Sequence, residues 1–318
     1  MRASTVRAPL FVCGVGRSGT SLVQSMLAAH PAVCMLPETH FFRRYVARAG
    51  TRRRLERGGV GAFEDRLRFD ADFARAGIAP MELVEEALGA CDTLAMHQRL
   101  LRLVLRREGG ERVAEKDPRL IDHLPALHAA YPDAYVIHVL RDPRDVLLSR
   151  TKAAWAKGRP WWLEVLVARE QLRRGRQLGE TLFGERYLEL SYEELLSRPR
   201  ETLLDLCERT GLAFEEAMLD DFGRSAQRLV DQREMSWKKE TLGPLLSDNS
   251  GKWREGLTPL QVRLVEGVCV ESFGELGYAR SDERRALAPR ERLAVGLTPV
   301  WRGAGRVLSG LRRAMEAA

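Results

Sequence analysis

Between residues 14 and 21 the chain reads Gly14-Val15-Gly16-Arg17-Ser18-Gly19-Thr20-Ser21. The glycines let backbone N–H groups approach whatever fills the loop, a guanidinium adds positive charge, and three hydroxyls add further donors. With a helix behind it, whose N-terminus also favours negative charge, such a loop is a receptor for a phosphate or a sulfate. Two known spacings overlap on it. Gly14, Gly16 and Gly19 satisfy the dinucleotide fingerprint, and Glu38 follows the last glycine at 19 residues as a candidate for holding a ribose. A Rossmann-type NAD(P)-dependent oxidoreductase is therefore open. Gly14 and Gly19 also have the spacing of a Walker A loop, but Thr20 stands where that loop needs its lysine and no acidic strand end follows. Without that charge partner for the β- and γ-phosphates the case for an ATPase is weak. A catalytically silent nucleotide- or glycan-binding protein would keep the same loop.

Three more positions could take part in the chemistry of an anion. Arg141 follows the apolar run 134–140, at the carboxyl end of a strand, where ligands bind in open α/β sheets. Ser149 lies seven residues after Asp142, two helical turns on, and so returns to the face near the helix start. Lys116, in KDPRL, follows a short strand that could end beside the same place. Each has a structural alternative: Glu38 could pair with Arg43 or Arg44, Lys116 with Asp117 or Asp122, and Asp142 could cap a helix and pair with Arg144 on the surface.

The elements that must position these residues are legible. PLFVCGV is a strand, SLVQSMLAAH a helix with Leu22, Val23, Met26 and Leu27 on one face, and AVCML a second strand. That succession within 9–37 is a βαβ unit and implies a parallel sheet. Residues 41–110 look helical. Residues 112–116 form a short, edge-like strand and 134–140 a buried one, after which Asp142 suits an N-cap and Pro143 the first helical position. A strand at 187–190 leads into a helix opened by Ser191 and Glu194 as a capping box. Residues 196–280 are mostly helical, with a polar loop around SDNSGKW. Trp155, Trp161 and Trp162 could form an aromatic wall or pack helices. The tail 299–318, with four arginines among Val300, Trp301, Val307, Leu308 and Leu311, forms a basic helix that either packs with one solvated face or lies on a membrane surface.

Composition narrows the class. Of 318 residues 45% are hydrophobic and 30% charged, which excludes a disordered chain. No apolar run is long enough for a spanning helix, and the apolar N-terminal stretch leads into the glycine loop rather than a cleavage site, so it reads as part of the fold. The five cysteines are odd in number, widely spaced and form no CxxC pair, which points away from a disulfide framework or zinc cluster and toward the cytoplasm. A net charge of +7 arises mostly from arginine, with only six lysines, and no nucleic-acid-binding motif accompanies it.

The stretch GVGRSGTSLVQSMLAAHPAVCMLPETHF, with RDPRDVLLS further on, resembles the sulfotransferases that use 3′-phosphoadenosine 5′-phosphosulfate (PAPS), and especially the tyrosylprotein branch and related bacterial enzymes. The resemblance spans about 100 of the 318 residues, mainly 9–45, 113–153, 186–195 and 248–254. It implies an α/β, P-loop-NTPase-like three-layer fold with a central parallel sheet and helical insertions, formed by one domain over 1–318 with an insertion at about 46–110. In such an enzyme Arg17, Ser18, Gly19, Thr20 and Ser21 would hold the 5′-phosphosulfate, and Arg141 with Ser149 the 3′-phosphate. Tyr192 and Lys252 would contact the cofactor. Glu38 would be the base, Lys116 would stabilise charge on the transferring group and bridging oxygen, and Ser236 would assist the transition state. The implied donor is PAPS, the product adenosine 3′,5′-bisphosphate, with no metal and no nucleic acid. The acceptor would be a small-molecule, glycan or peptide hydroxyl.

Overall fold

A computed structural model describes residues 7–85, 91–153, 158–231, 243–246, 248–281 and 289–317. Five parallel strands form its centre: β1 (Leu10–Gly14), β2 (Val33–Leu36), β3 (Arg112–Lys116), β4 (Tyr135–Leu140) and β5 (Tyr187–Ser191). Their spatial order is β2-β3-β1-β4-β5. All of β1 is buried, as expected of a strand covered on both faces.

Alternation along β1 divides the core. Phe11 and Cys13 face one side, with α4 (Thr93–Glu108), α5 (Leu124–Ala130) and Phe183 of α7 (Trp161–Phe183). Leu10 and Val12 face the other, with α1 (Thr20–Ala29), α8 (Tyr192–Ser197), α9 (Pro199–Thr210) and α11 (Phe222–Leu229). A sheet between two helical layers results. Between β2 and β3 the chain runs through α2 (Ala49–Arg68), α3 (Pro80–Val84) and α4, the last lying directly on β2 and β3. A short α10 (Ala217–Asp220) precedes α11.

The local signals hold at the helix starts. Asp142 caps α6 (Pro143–Lys152) by accepting from the Arg144 N–H at 2.9 Å, with Pro143 first in the helix. Ser191 accepts from the Glu194 N–H at the start of α8, the first half of the expected capping box, while the Glu194 carboxylate accepts from Arg198 at 3.1 Å. One expectation fails: β3 is not at an edge but lies between β2 and β1. Its charged residues imitate an edge, yet each is buried with a partner: Arg112 donates to the Thr210 carbonyl, His97 pairs with Glu115, and Lys116 with Glu38.

Candidate functional site

Strand register gathers the site. Val12 and Lys116 are opposite in β1 and β3, Gly14 and Val139 in β1 and β4, Leu36 and Glu115 in β2 and β3. The glycine loop, Lys116, Glu38 and Arg141 therefore all leave the sheet at its carboxyl edge, where a cavity of about 570 Å³ opens. Arg17, Gly19, Thr20, Ser21, Glu38, Lys116, Arg141, Ser149, Tyr192 and Lys252 all line it.

The loop is fixed by its neighbours. Arg17 has a φ of +81° and Gly19 one of +100°, conformations that cost an ordinary residue about 1–2 kcal/mol. Gly19 is needed for space as well, because a Cβ there would lie 2.2 Å from the Tyr192 ring. No side chain caps α1, so its opening N–H groups are available to an anion in the loop. Ser18 is buried behind the loop, its hydroxyl without a hydrogen-bond partner, and does not line the cavity.

Arg141 ties three segments together. Its guanidinium lies 4.3 Å from the centre of the Tyr192 ring and donates to the carbonyls of Arg17, at 3.3 Å, and Asn249, at 2.8 Å. The Asn249 amide in turn donates to the Tyr192 hydroxyl at 2.9 Å. Arg17 Nε donates to Ser149 Oγ at 2.9 Å, closing the loop onto α6. The late loop with Lys252 is held by Asp145, which accepts from the N–H groups of Gly251 at 2.6 Å and Trp253 at 2.9 Å. Burial pushes the Asp145 carboxyl up, against the pull of Arg141 and those two amides.

On the other side of the cavity Lys116 Nζ forms a buried ion pair with Glu38 Oε2. The arginines near Glu38 have partners of their own: Arg43 pairs with Asp117 at 2.7 Å and Arg44 with Asp70 and Asp72. His40, at a φ of +56°, donates from Nδ1 to Asp117 Oδ2 at 2.9 Å and stands 3.8 Å from Glu38 Oε1. Burial would raise the Asp117 carboxyl, but the His40 hydrogen bond and the Arg43 charge outweigh it and hold the group well below the usual carboxylate range. Glu38, His40 and Asp117 offer oxygen and nitrogen atoms within 4.8 Å of one another, a set that could hold a metal ion. Lys116 and Arg43 already place positive charge on those carboxylates, however, so a further cation would be repelled.

The strand order decides against a dinucleotide fingerprint. That fold sets the second strand beside the first, so that a carboxylate at its end reaches the ribose. Here β3 intervenes between β1 and β2, and the Glu38 carboxylate is engaged by Lys116. The model of the sulfotransferase family matches residues 9–216, more than half of the chain. The chain belongs to the sulfotransferase family. It is 25% identical over 280 residues to protein-tyrosine sulfotransferase 1 of Danio rerio, an alignment spanning 85% of this chain and 72% of that one. Among solved structures it is similar to the sulfotransferase domain of the curacin biosynthetic pathway, with TM-score 0.60 and 16% identity over 86% of this chain and 99% of that one. It is also similar to the sulfotransferase domain of the Synechococcus PCC 7002 olefin synthase, with TM-score 0.59 and 24% identity over 84% and 96%. This sulfotransferase thus has the P-loop-NTPase-like α/β fold of those neighbours.

Ser236 and Trp155 lie outside the described residues. Trp161 and Trp162 pack helices instead of lining the cavity: Trp161 packs against the apolar cluster formed by Leu147, Val165, Leu166, Val265 and their neighbours, and Trp162 against Trp301 with ring centres 5.3 Å apart. His40, Arg43, Asp117, Asp145, Arg150 and Asn249 also line the cavity, and no motif singles them out. Adjacency is the one available signal: Asp117 follows Lys116, and Asp145 lies one helical turn before Ser149.

Proposed function

We propose that this sulfotransferase moves the sulfuryl group of PAPS to an acceptor hydroxyl by in-line displacement and releases adenosine 3′,5′-bisphosphate. The observation that carries this is the presence of two cation-and-hydroxyl clusters, Arg17 with Thr20 and Ser21, and Arg141 with Ser149, on one cavity with the Glu38–Lys116 pair. A donor with phosphates at both ends needs two such clusters.

Arg17, Gly19, Thr20 and Ser21 would bind the 5′-phosphosulfate, with Ser18 supporting the loop from behind. Arg141 and Ser149 would bind the 3′-phosphate. Tyr192 and Lys252 would complete the cofactor site. The acceptor oxygen attacks sulfur, the bond from sulfur to the bridging oxygen breaks, and the acceptor proton passes to Glu38. Lys116 would steady the charge that builds on the bridging oxygen, so that positioning and electrostatics supply most of the rate. Ser236 completes the set as an assistant to that step. No step calls for a metal ion.

The acceptor belongs to the phenols, sugars and other small-molecule, glycan or peptide hydroxyls. The chain acts as one domain, and its five buried, unpaired thiols favour a reducing, cytoplasmic setting. The test is release of the bisphosphate from PAPS across a panel of hydroxyl acceptors, comparing wild type with Glu38→Gln. Turnover should fall about 10²–10⁴-fold in the variant while donor affinity is kept. Unchanged turnover would overturn the base assignment, and donor binding without turnover on any acceptor would favour a silent binding protein.

A further inference from the structure

The helix Thr298–Ala317 turns one face to the body of the protein and the other outward. Inward, Gly305 is buried on α7, where a Cβ would make ordinary contact with Leu166 at 3.5 Å, the Trp301 ring packs tilted against Trp162, and Arg302 stands 3.9 Å from Glu271. Outward, Val300 is 65% exposed, Val307 62% and Leu311 58%. At 100° per residue these three share one narrow stripe, with Leu308 at its margin. The preceding helix, Pro289–Gly296, continues the stripe through Leu293, which is 65% exposed, and Leu297. Hydrogen bonds from the Leu297 N–H to Leu293 at 3.1 Å and from the Trp301 N–H to Leu297 at 3.0 Å carry the helical path across the junction. Single exposed apolar residues are ordinary, but six along one stripe are not.

The charge around this stripe is positive. Residues 289–317 contain six arginines and two glutamates. The helix also touches α2, whose exposed residues include Arg52, Arg53, Arg54 and Arg57. A second copy seated on the stripe would bring two arginine-rich surfaces together, which like-charge repulsion opposes. A surface of anionic headgroups over hydrocarbon complements both features at once. No described helix is long and apolar enough to cross a membrane.

We propose that Pro289–Ala317 lies in the interface of an anionic lipid bilayer, with Val300, Val307 and Leu311 facing the acyl region and Arg306 and the exposed arginines of α2 at the phosphates. The test is co-sedimentation of the full chain with phosphatidylcholine vesicles, with and without phosphatidylglycerol, at low and high salt. Binding to the anionic vesicles that weakens with salt is expected, as is its loss in Val307→Glu/Leu311→Glu. Arg52→Gln and Arg306→Gln should each lower vesicle affinity about five-fold. These exposed substitutions should leave thermal unfolding unchanged. Absence of binding by wild type, equal binding to neutral vesicles, or a dimer by light scattering that the double variant dissociates would each overturn the proposal.

Discussion

Arg17 Nε donates to the hydroxyl of Ser149 at 2.9 Å, a bond between residues 132 positions apart. It links the strained glycine loop after β1 to the second turn of α6. Because Arg141 also donates to the Arg17 carbonyl, both members of the second proposed phosphate cluster are tied to Arg17 of the first.

The division of labour between these clusters is testable. Arg141→Ala should weaken binding of adenosine 3′,5′-bisphosphate by about ten- to a hundred-fold, the size of a lost charge-assisted hydrogen bond. Binding of adenosine 5′-phosphosulfate, which has no 3′-phosphate, should change far less. Equal losses for both ligands would remove the 3′-phosphate assignment.

Gly19→Ala should be costly for two independent reasons, the φ of +100° and the Tyr192 ring 2.2 Å from the new Cβ. A loss of about 2 kcal/mol or more in unfolding free energy is expected from strain and overpacking. Nucleotide affinity should fall with it. Gly109→Ala, where a Cβ meets nothing within 4 Å but the backbone has the same left-handed form (φ 74°, ψ 14°), isolates the backbone contribution and should cost less.

Asp145 holds the late loop through the Gly251 and Trp253 N–H groups. Asp145→Ala should free that loop, so that limited proteolysis around residue 252 speeds up and bisphosphate affinity drops about ten-fold through Lys252. Cleavage and affinity that both match wild type would show that Lys252 is positioned by other contacts.

Asp117 sets a pH dependence. Its carboxyl is held below the ordinary value in the folded protein, so its contribution to stability is complete above the unfolded-state pKa of about 3.9 and is lost as pH falls toward the folded-state value. Asp117→Asn should therefore cost about 3–5 kcal/mol near pH 7, leaving Arg43 without its buried partner, and the gap to wild type should narrow in acid. Denaturant titrations at neutral and acid pH would check this, and a gap that widens in acid would contradict it.

How much of this was legible in the sequence follows the distance over which each feature is decided. The βαβ start, the Asp142 and Ser191 caps and the strand–loop–helix form of residues 10–29 depend on neighbours within a few positions, and they stand in the structure. The place of β3 does not, because sheet order is a property of the whole chain. Arg112, Glu115 and Lys116 suggest an edge until Thr210, His97 and Glu38 are brought to them. The same order separates Glu38 from the glycine loop by one strand, which no count of residues from Gly19 could reveal. Asp145 and Asn249 went unmarked because their partners, Gly251, Trp253 and Tyr192, lie far along the chain.

Titration calorimetry of the purified chain with adenosine 3′,5′-bisphosphate, NADH and ATP in parallel, without added metal, goes most directly to the donor site. Tight binding of the bisphosphate, with weak or no binding of the other two, is the expected result. Binding of NADH with no response to the bisphosphate would contradict a PAPS site on this cavity.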